Sequence, residues 1–111
     1  MVLNVPNGRK WDVTVGGRIE HVTDQDVFPD LFHGAIVKTG KISVMQFNRP
    51  VWPHTTSIVI RLTASRKKDA EFQAQQLVLP VFLGVAKDLL GAEPFGWTLS
   101  VNAQLASDET S

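Results

Sequence analysis

Residues 41–65, KISVMQFNRPVWPHTTSIVIRLTAS, contain two strand-like segments, KISVMQFNR (41–49) and TTSIVIRLTAS (55–65), joined by the stiff connector PVWP (50–53). In the second segment, Ile58, Ile60, Leu62 and Ala64 alternate with Ser57, Val59, Arg61 and Thr63. In the first, Ile42, Val44 and Gln46 alternate with Lys41, Ser43, Met45, Phe47 and Arg49. Strict alternation is typical of half-buried strands. We therefore expect a sheet with one face on a core and the other polar and mildly basic.

A helical pattern follows from Ser65, a candidate N-cap, or from Asp69, to Leu90. Pro80 predicts a kink, because proline cannot donate a backbone hydrogen bond and clashes with the preceding turn. The apolar run 76–83 is also compatible with a strand. Gly91 is a natural helix end, and GWTLSVNAQLA (96–106) alternates as a final strand.

The N-terminal third predicts a β-meander. Asn7-Gly8 and Gly16-Gly17 are turn signals that separate VLNV, KWDVTV and RIEHVT. A two-residue turn at Gly16-Gly17 leaves Ile19 on the wrong face, so we expect a glycine bulge there. Residues 24–34 predict a loop, and AIVK (35–38) a short strand.

These elements predict one α+β domain over residues 1–111. An antiparallel sheet carries one long, kinked helix on one face, and a final C-terminal strand completes it.

Composition places few limits on function. The chain has 111 residues, 43% hydrophobic, with eleven basic and eleven acidic side chains and no cysteine. A neutral chain has no overall attraction for phosphate, so nucleic acid would need a locally basic face. No secretory signal or membrane-length apolar run is visible, and we expect a soluble protein made inside the cell.

No catalytic or metal-binding motif is present. His21, His33 and His54 are not spaced as ligands on one helix face, and scattered structural or surface histidines are the favoured interpretation. The acidic segment 24–30 lacks the glycine and glutamate of a calcium loop. We expect no enzyme activity, no metal and no cofactor.

The basic residues suggest one binding surface. We predict that the polar sheet face contacts RNA phosphates and base edges through Lys38, Lys41, Ser43, Arg49, Arg61 and Thr63. The alternative is an ordinary solvated sheet face.

The layout after Lys41 resembles coat proteins of single-stranded RNA bacteriophages. The matching features are ISVMQFNRPVWP (42–53), SIVIRLTAS (57–65), the helix to Leu90 and a strand-like end before SDETS (107–111), so the resemblance covers about residues 35–111. It implies a capsid subunit that forms homodimers and a closed shell in the host cytoplasm, with genomic RNA on the inner sheet face. It also implies dimer and core contacts through the helix residues Phe72, Leu79, Phe82, Leu83 and Leu90.

Two alternatives stay open. Tail-terminator and connector proteins of tailed phages also run strand, strand, helix, strand and assemble into rings. They usually begin with a helix, whereas this chain is predicted to begin with a hairpin, which favours the coat protein. A small intracellular interaction domain of the same architecture is the non-viral alternative.

Overall fold

The computed structural model describes residues 8–19, 27–48, 55–91, 93–94 and 96–106. Its elements are β1 (Arg9–Ile19), α1 (Val27–Thr39), β2 (Ser43–Asn48), β3 (Thr55–Ala64), α2 (Lys67–Leu90) and β4 (Trp97–Leu105). The four strands form one sheet in the order β2-β3-β1-β4, and all neighbours are antiparallel. This order and the βαββαβ succession define a ferredoxin-like topology. The α+β class and the C-terminal strand are confirmed, but the described residues contain two helices where one was predicted.

β1 is a single strand, so the predicted turn and bulge at Gly16-Gly17 are wrong. Trp11, Val13, Val15 and Ile19 all face the core, and Gly17 occupies the inward position between the last two. A Cβ on Gly17 would lie 2.5 Å from Cε2 of Phe82. The absence of a side chain at Gly17 therefore lets the Phe82 ring approach the sheet. Close approach of another part of the protein is a common reason for a glycine inside a strand. The predicted first strand, VLNV, lies outside the described residues.

α1 replaces part of the predicted loop and all of the predicted strand AIVK (35–38). Phe28, Phe32 and Ile36 are spaced four residues apart and are buried, as one face of a helix requires. Pro29 lies in the first turn, where its missing N–H leaves no intrahelical bond unmade. Residues 24–26 lie outside the described residues.

β2 and β3 form an antiparallel pair, as expected, with a register shift between Val44 and Gln46. The extra residue, Met45, moves Gln46 opposite Val59 on the polar side and Phe47 opposite Ile58 on the core side. The predicted orientations of these two side chains are therefore reversed. The connector 50–53 lies outside the described residues.

α2 settles the assignment of residues 76–83 as helix, not strand. It runs without interruption through Pro80, and the kink stays a prediction. Its N-cap is Arg66, and the Ser65 hydroxyl donates to Asp69 at 3.0 Å instead of capping the backbone. Gly91 ends the helix in the left-handed region at φ 70°, as predicted, and its N–H donates to the Lys87 carbonyl at 2.8 Å.

The core lies between the two helices and one face of the sheet. α2 contributes a buried row at four-residue spacing, Ala70, Ala74, Val78, Phe82 and Ala86, which includes only one of the predicted contact residues. The Phe82 ring meets Phe28 and Phe32 edge-on, with centroids 5.5 and 6.0 Å apart. The other predicted residues behave differently: Leu79, Leu83 and Leu90 are half-buried, and Phe72 is 63% exposed. Phe72 is therefore not a core residue.

β4 alternates as predicted. Trp97, Leu99, Val101, Ala103 and Leu105 face the helices, but only Ala103 is fully buried and the rest are half-buried. Among the described helices, none is long and apolar enough to cross a membrane.

Candidate functional site: the open face of the sheet

Both helices pack on one face of the sheet, and no described element covers the other, which we call the open face. Its residues are Lys10, Asp12, Thr14, Gly16 and Arg18 on β1, Ser43, Gln46 and Asn48 on β2, Thr55, Ser57, Val59, Arg61 and Thr63 on β3, and Thr98, Ser100, Asn102 and Gln104 on β4. Most of these side chains carry a hydroxyl or an amide. The open face is therefore a broad hydrogen-bonding surface that includes the apolar side chain of Val59, with exposed Met45 beside Gln46 in the bulge of β2.

The centre of the open face holds an ion pair across β1 and β3. Arg61 donates from Nε to Oδ1 of Asp12 at 2.8 Å and from Nη2 to Oδ2 at 3.2 Å. The two side chains are 25% and 29% exposed, so solvent screens the pair and its net contribution to stability is about 1 kcal/mol or less. Ser43 lies opposite Arg61 on β2, and Gln104 lies opposite Asp12 on β4. Arg61 is thus on the predicted face, but a carboxylate already engages its guanidinium.

A smaller network orders the amides of β2. The Gln46 amide donates to Oδ1 of Asn48, whose own amide donates to the Ser57 hydroxyl at 2.9 Å. On the other side of β1, the Ser100 hydroxyl donates to the Gly16 carbonyl at 3.3 Å. These bonds hold polar groups in place across all four strands.

The predicted RNA-binding residues divide into three groups. Ser43, Arg61 and Thr63 lie together on the open face. Lys41 is exposed just before β2, whereas Lys38 belongs to α1 and is not on the sheet. Arg49 lies outside the described residues.

Two cations of the open face were missed. Lys10 and Arg18 are exposed on β1, eight positions apart on the same side of the strand. The signal was present, because the alternation that starts at Lys10 continues unbroken to Arg18. The predicted turn at Gly16-Gly17 concealed it.

The charge of the open face is positive although the chain is neutral. Its residues include three cations, Lys10, Arg18 and Arg61, and one carboxylate, Asp12. The other described positions carry a smaller relative excess: Arg9, Lys38, Lys41, Arg66, Lys67, Lys68 and Lys87 against Asp30, Asp69, Glu71, Asp88 and Glu93. Among the described residues of the open face there is no aromatic ring of the kind on which many four-stranded sheets stack RNA bases. Its groups suit phosphate and sugar contacts and hydrogen bonds to base edges.

On the helix side, one polar contact joins a histidine of α1 to a buried hydroxyl of β3. Nε2 of His33 lies 3.2 Å from the hydroxyl of Thr56, which is 2% exposed. The imidazole also packs on Phe47, with ring centroids 4.4 Å apart. Partial burial lowers the pKa of His33, and the nearby charge of Asp30 opposes that shift. This geometry agrees with the structural interpretation of this histidine, while His21 and His54 lie outside the described residues.

No three His, Asp or Glu side chains among the described residues are close enough together to hold a metal ion.

No protein-family model and no curated protein matches the chain. Among solved structures, an unknown protein from Galdieria sulphuraria matches 95% of this chain with 13% identity and a TM-score of 0.39, and this chain spans about half of it, 54%. A dimeric ferredoxin-like protein from an uncultured marine organism matches with 8% identity and a TM-score of 0.36, over 91% of this chain and 92% of the other. Likenesses of this size carry no argument about function.

Proposed function

We propose that this chain is a self-associating, non-catalytic subunit that binds single-stranded RNA on the open face of its sheet, as the coat subunit of an RNA phage would. The observation that carries the proposal is the uneven charge. A chain of zero formal charge places three cations, of which Arg61 is half-buried, and one carboxylate on a face whose other side chains are mostly hydroxyls and amides.

The chemistry of the open face determines how such binding would behave. Without aromatic rings, affinity comes mainly from phosphate contacts and discriminates little between sequences. Binding of this kind has dissociation constants of about 10⁻⁴ to 10⁻⁶ M at physiological salt. A single subunit would therefore hold RNA weakly, and stable packaging would require many linked copies. Weak binding per subunit is compatible with a shell and would be inadequate for a monomeric RNA-binding protein.

The fold affects the choice between the two kinds of phage protein that the sequence resembles, the coat protein and the tail-terminator ring protein. The coat resemblance includes a strand-like end before SDETS, and β4 follows α2 at that place. Of the two N-terminal turns that favoured the coat over the ring protein, the one at Gly16-Gly17 is replaced by one strand over residues 9–19, and the one at Asn7-Gly8 extends outside the described residues. The proposal that the subunits form a closed shell therefore rests on the sequence pattern. The size of the purified particles tests it.

The test of RNA binding compares two charge reversals. One double variant, Lys10→Glu with Arg18→Glu, reverses two charges on the open face. The control, Lys67→Glu with Lys68→Glu, reverses two charges at exposed positions of α2. Binding of a labelled single-stranded RNA, measured by fluorescence anisotropy, should fall at least tenfold for the first pair and little for the second. For the wild-type chain, the logarithm of the binding constant should fall with the logarithm of salt with a slope of about −1.4, since about −0.7 is expected per phosphate contact and Lys10 and Arg18 are the two exposed cations of the open face. Equal loss in both pairs would contradict binding by the open face.

The test of assembly is the mass of the protein purified from bacteria. Closed particles that contain host RNA support the coat subunit. RNA-free rings of about six copies would support the tail-terminator alternative, and small RNA-free oligomers unaffected by the open-face charges would support the interaction domain.

A further inference from the structure

The two edges of the sheet are built differently. β2 has six residues, is interrupted by the register shift at Met45 and follows exposed Lys41. β4 has nine residues, WTLSVNAQL, without a charge, a proline, a glycine or a register shift. Short strands, bulges and charges are the devices by which proteins prevent edge strands from pairing with other chains. β2 is short and bulged and has a charge two residues before it, whereas β4 carries none of these features within its own sequence.

The direction of the backbone groups of β4 follows from its pairing with β1. The Ala106 N–H donates to the Lys10 carbonyl at 3.0 Å, so Lys10 and Ala106 form a hydrogen-bonded pair. Hydrogen-bonded pairs recur at every second residue of an antiparallel ladder. The even-numbered residues of β4 therefore point their N–H and C=O groups at β1. The odd-numbered residues, Trp97 to Leu105, point theirs away from the sheet.

One contact confirms this direction. The N–H of Ala103, an odd-numbered residue, donates to Oε2 of Glu71 on α2 at 3.0 Å. Glu71 thus caps one edge donor from the helix side. Among the described residues no strand pairs with this edge.

We propose that β4 pairs with β4 of a second copy in antiparallel register about a two-fold axis at Val101. This pairing rests on the self-association in the proposed function, and it assigns the contact between subunits to the edge of β4. In this register Val101 opposes Val101, Leu99 opposes Ala103 and Ser100 opposes Asn102. Apolar side chains meet apolar ones on the helix side, and polar side chains meet polar ones on the open face. The half-buried residues Leu99, Val101 and Leu105 gain the cover that α2 does not provide.

Pairing would join two four-stranded sheets into one with a continuous open face. The β1 strands of the two copies would be three strand spacings apart, about 14 Å. Lys10 and Arg18 of both copies would then lie on one surface. Self-association by this edge therefore enlarges the RNA-binding surface instead of covering it.

Glu71 competes with this pairing. In the dimer the Ala103 N–H donates to the Leu99 carbonyl of the other copy and must leave the carboxylate. Glu71→Ala removes the competing acceptor and retains a good helix former. We expect it to lower the dimer dissociation constant several-fold, and an unchanged or weaker dimer would overturn this role of Glu71.

The decisive experiment uses complementary charges. Ser100 and Asn102 are exposed and oppose each other across the proposed axis. A chain with Ser100→Lys and Asn102→Lys, or with Ser100→Glu and Asn102→Glu, places like charges opposite one another and should be monomeric by sedimentation equilibrium, with a dissociation constant raised at least tenfold. An equimolar mixture of the two variants should restore the dimer. Gln73→Lys with Gln76→Lys, at exposed positions of α2, is the control and should leave the mass unchanged.

Hydrogen exchange measured by NMR supplies a second readout. Amides of Leu99, Val101 and Leu105 should exchange slowly in the dimer and fast in the lysine variant, while those of Thr98 and Gln104 stay protected in both. Uniform exchange along β4 would overturn the pairing.

The outcomes separate this inference from the proposed function. The wild-type chain could be a dimer that the β4 charges do not affect and that Phe72→Ser dissociates. In that case self-association is correct, the interface is on α2, and the β4 interface is wrong. If the wild-type chain is monomeric at millimolar concentration, both self-association and the β4 interface are wrong. RNA binding of the Lys10→Glu, Arg18→Glu pair, compared with the Lys67→Glu, Lys68→Glu pair, tests the open face without either, because none of these residues lies on β4.

Discussion

The two faces of this sheet are made by alternate residues of the same strands, yet they serve different purposes. On β1, Val13 and Val15 are fully buried beneath the helices, whereas Thr14 and Arg18 are exposed on the open face. Burial of a valine side chain contributes about 1.5–3 kcal/mol to folding, and an exposed polar residue contributes little. Substitutions on the helix-covered face should therefore change stability, and substitutions on the open face should change binding with the fold intact.

The largest expected effect is on the helix-covered face at Phe82, which contacts both α1 and β4 rings. Phe82→Ala should lower the free energy of unfolding by about 3–5 kcal/mol, because it leaves a cavity at the centre of the core. Leu79→Ala, at a half-buried position, should cost less, and exposed Gln75→Ala should be near neutral. Denaturant unfolding measures all three, and equal losses would show that the buried face of α2 is misassigned.

Gly16 and Gly17 are adjacent in β1 but lie on opposite faces of the sheet, so replacement by alanine should affect them differently. Gly17→Ala directs a methyl group into the Phe82 ring and should cost about 1–3 kcal/mol through overpacking. Gly16→Ala meets the Ser100 hydroxyl at 3.2 Å, a side chain that can turn away, and the Thr56 carbonyl at 3.9 Å, which is an ordinary contact distance. We expect Gly16→Ala to be neutral or slightly stabilising, since glycine weakens a strand interior. A shorter side chain, Phe82→Leu, should partly rescue Gly17→Ala in a double-mutant cycle, which would confirm that the clash is with this ring.

On the open face, the ion pair allows stability and binding to be separated. Asp12→Asn removes the carboxylate that neutralises Arg61 and should cost at most about 1 kcal/mol of stability, as for exposed pairs. The same substitution makes the open face more positive, so RNA affinity at low salt should rise a few-fold. Asp88→Asn, exposed on α2, is the charge-matched control. A fall in affinity for Asp12→Asn would contradict the electrostatic role of this face.

The smallest expected effect is a pH dependence at His33. Its pKa is lowered in the folded protein by partial burial, so the unfolded chain binds more protons between the folded pKa and the ordinary value of 6.5. The stability associated with neutral His33 is present above pH 6.5 and is lost as the pH falls through the folded pKa. His33→Gln keeps a hydrogen-bonding group for Thr56 and should reduce the loss of stability between pH 7 and pH 5, measured by thermal unfolding. An identical pH profile in the two proteins would contradict this role.

Much of the architecture could be predicted from local pattern. The alternation in β3 and β4, the helix ending at Gly91 and the polar reverse side of the sheet all follow from periodicity and end signals over short stretches. α1 was missed because Pro29 and Gly34 indicate a loop, while the helix depends on Phe28, Phe32 and Ile36 finding a core to pack on. Lys10 and Arg18 were missed with the Gly16-Gly17 turn.

The α+β class, the neutrality of the chain and the polar sides of β3 and β4 follow from the amino-acid sequence, because they depend on composition and on side-chain period alone. Tertiary packing was needed to show that the Gln46 and Phe47 side chains are reversed by the bulge, that Gly17 receives the Phe82 ring, that Asp12 engages Arg61 across 49 positions of chain, and that β4 lies at an edge. Each of these depends on which segments become neighbours. Strand order and inter-element contacts arise from the packing of the whole chain, and no local pattern encodes them.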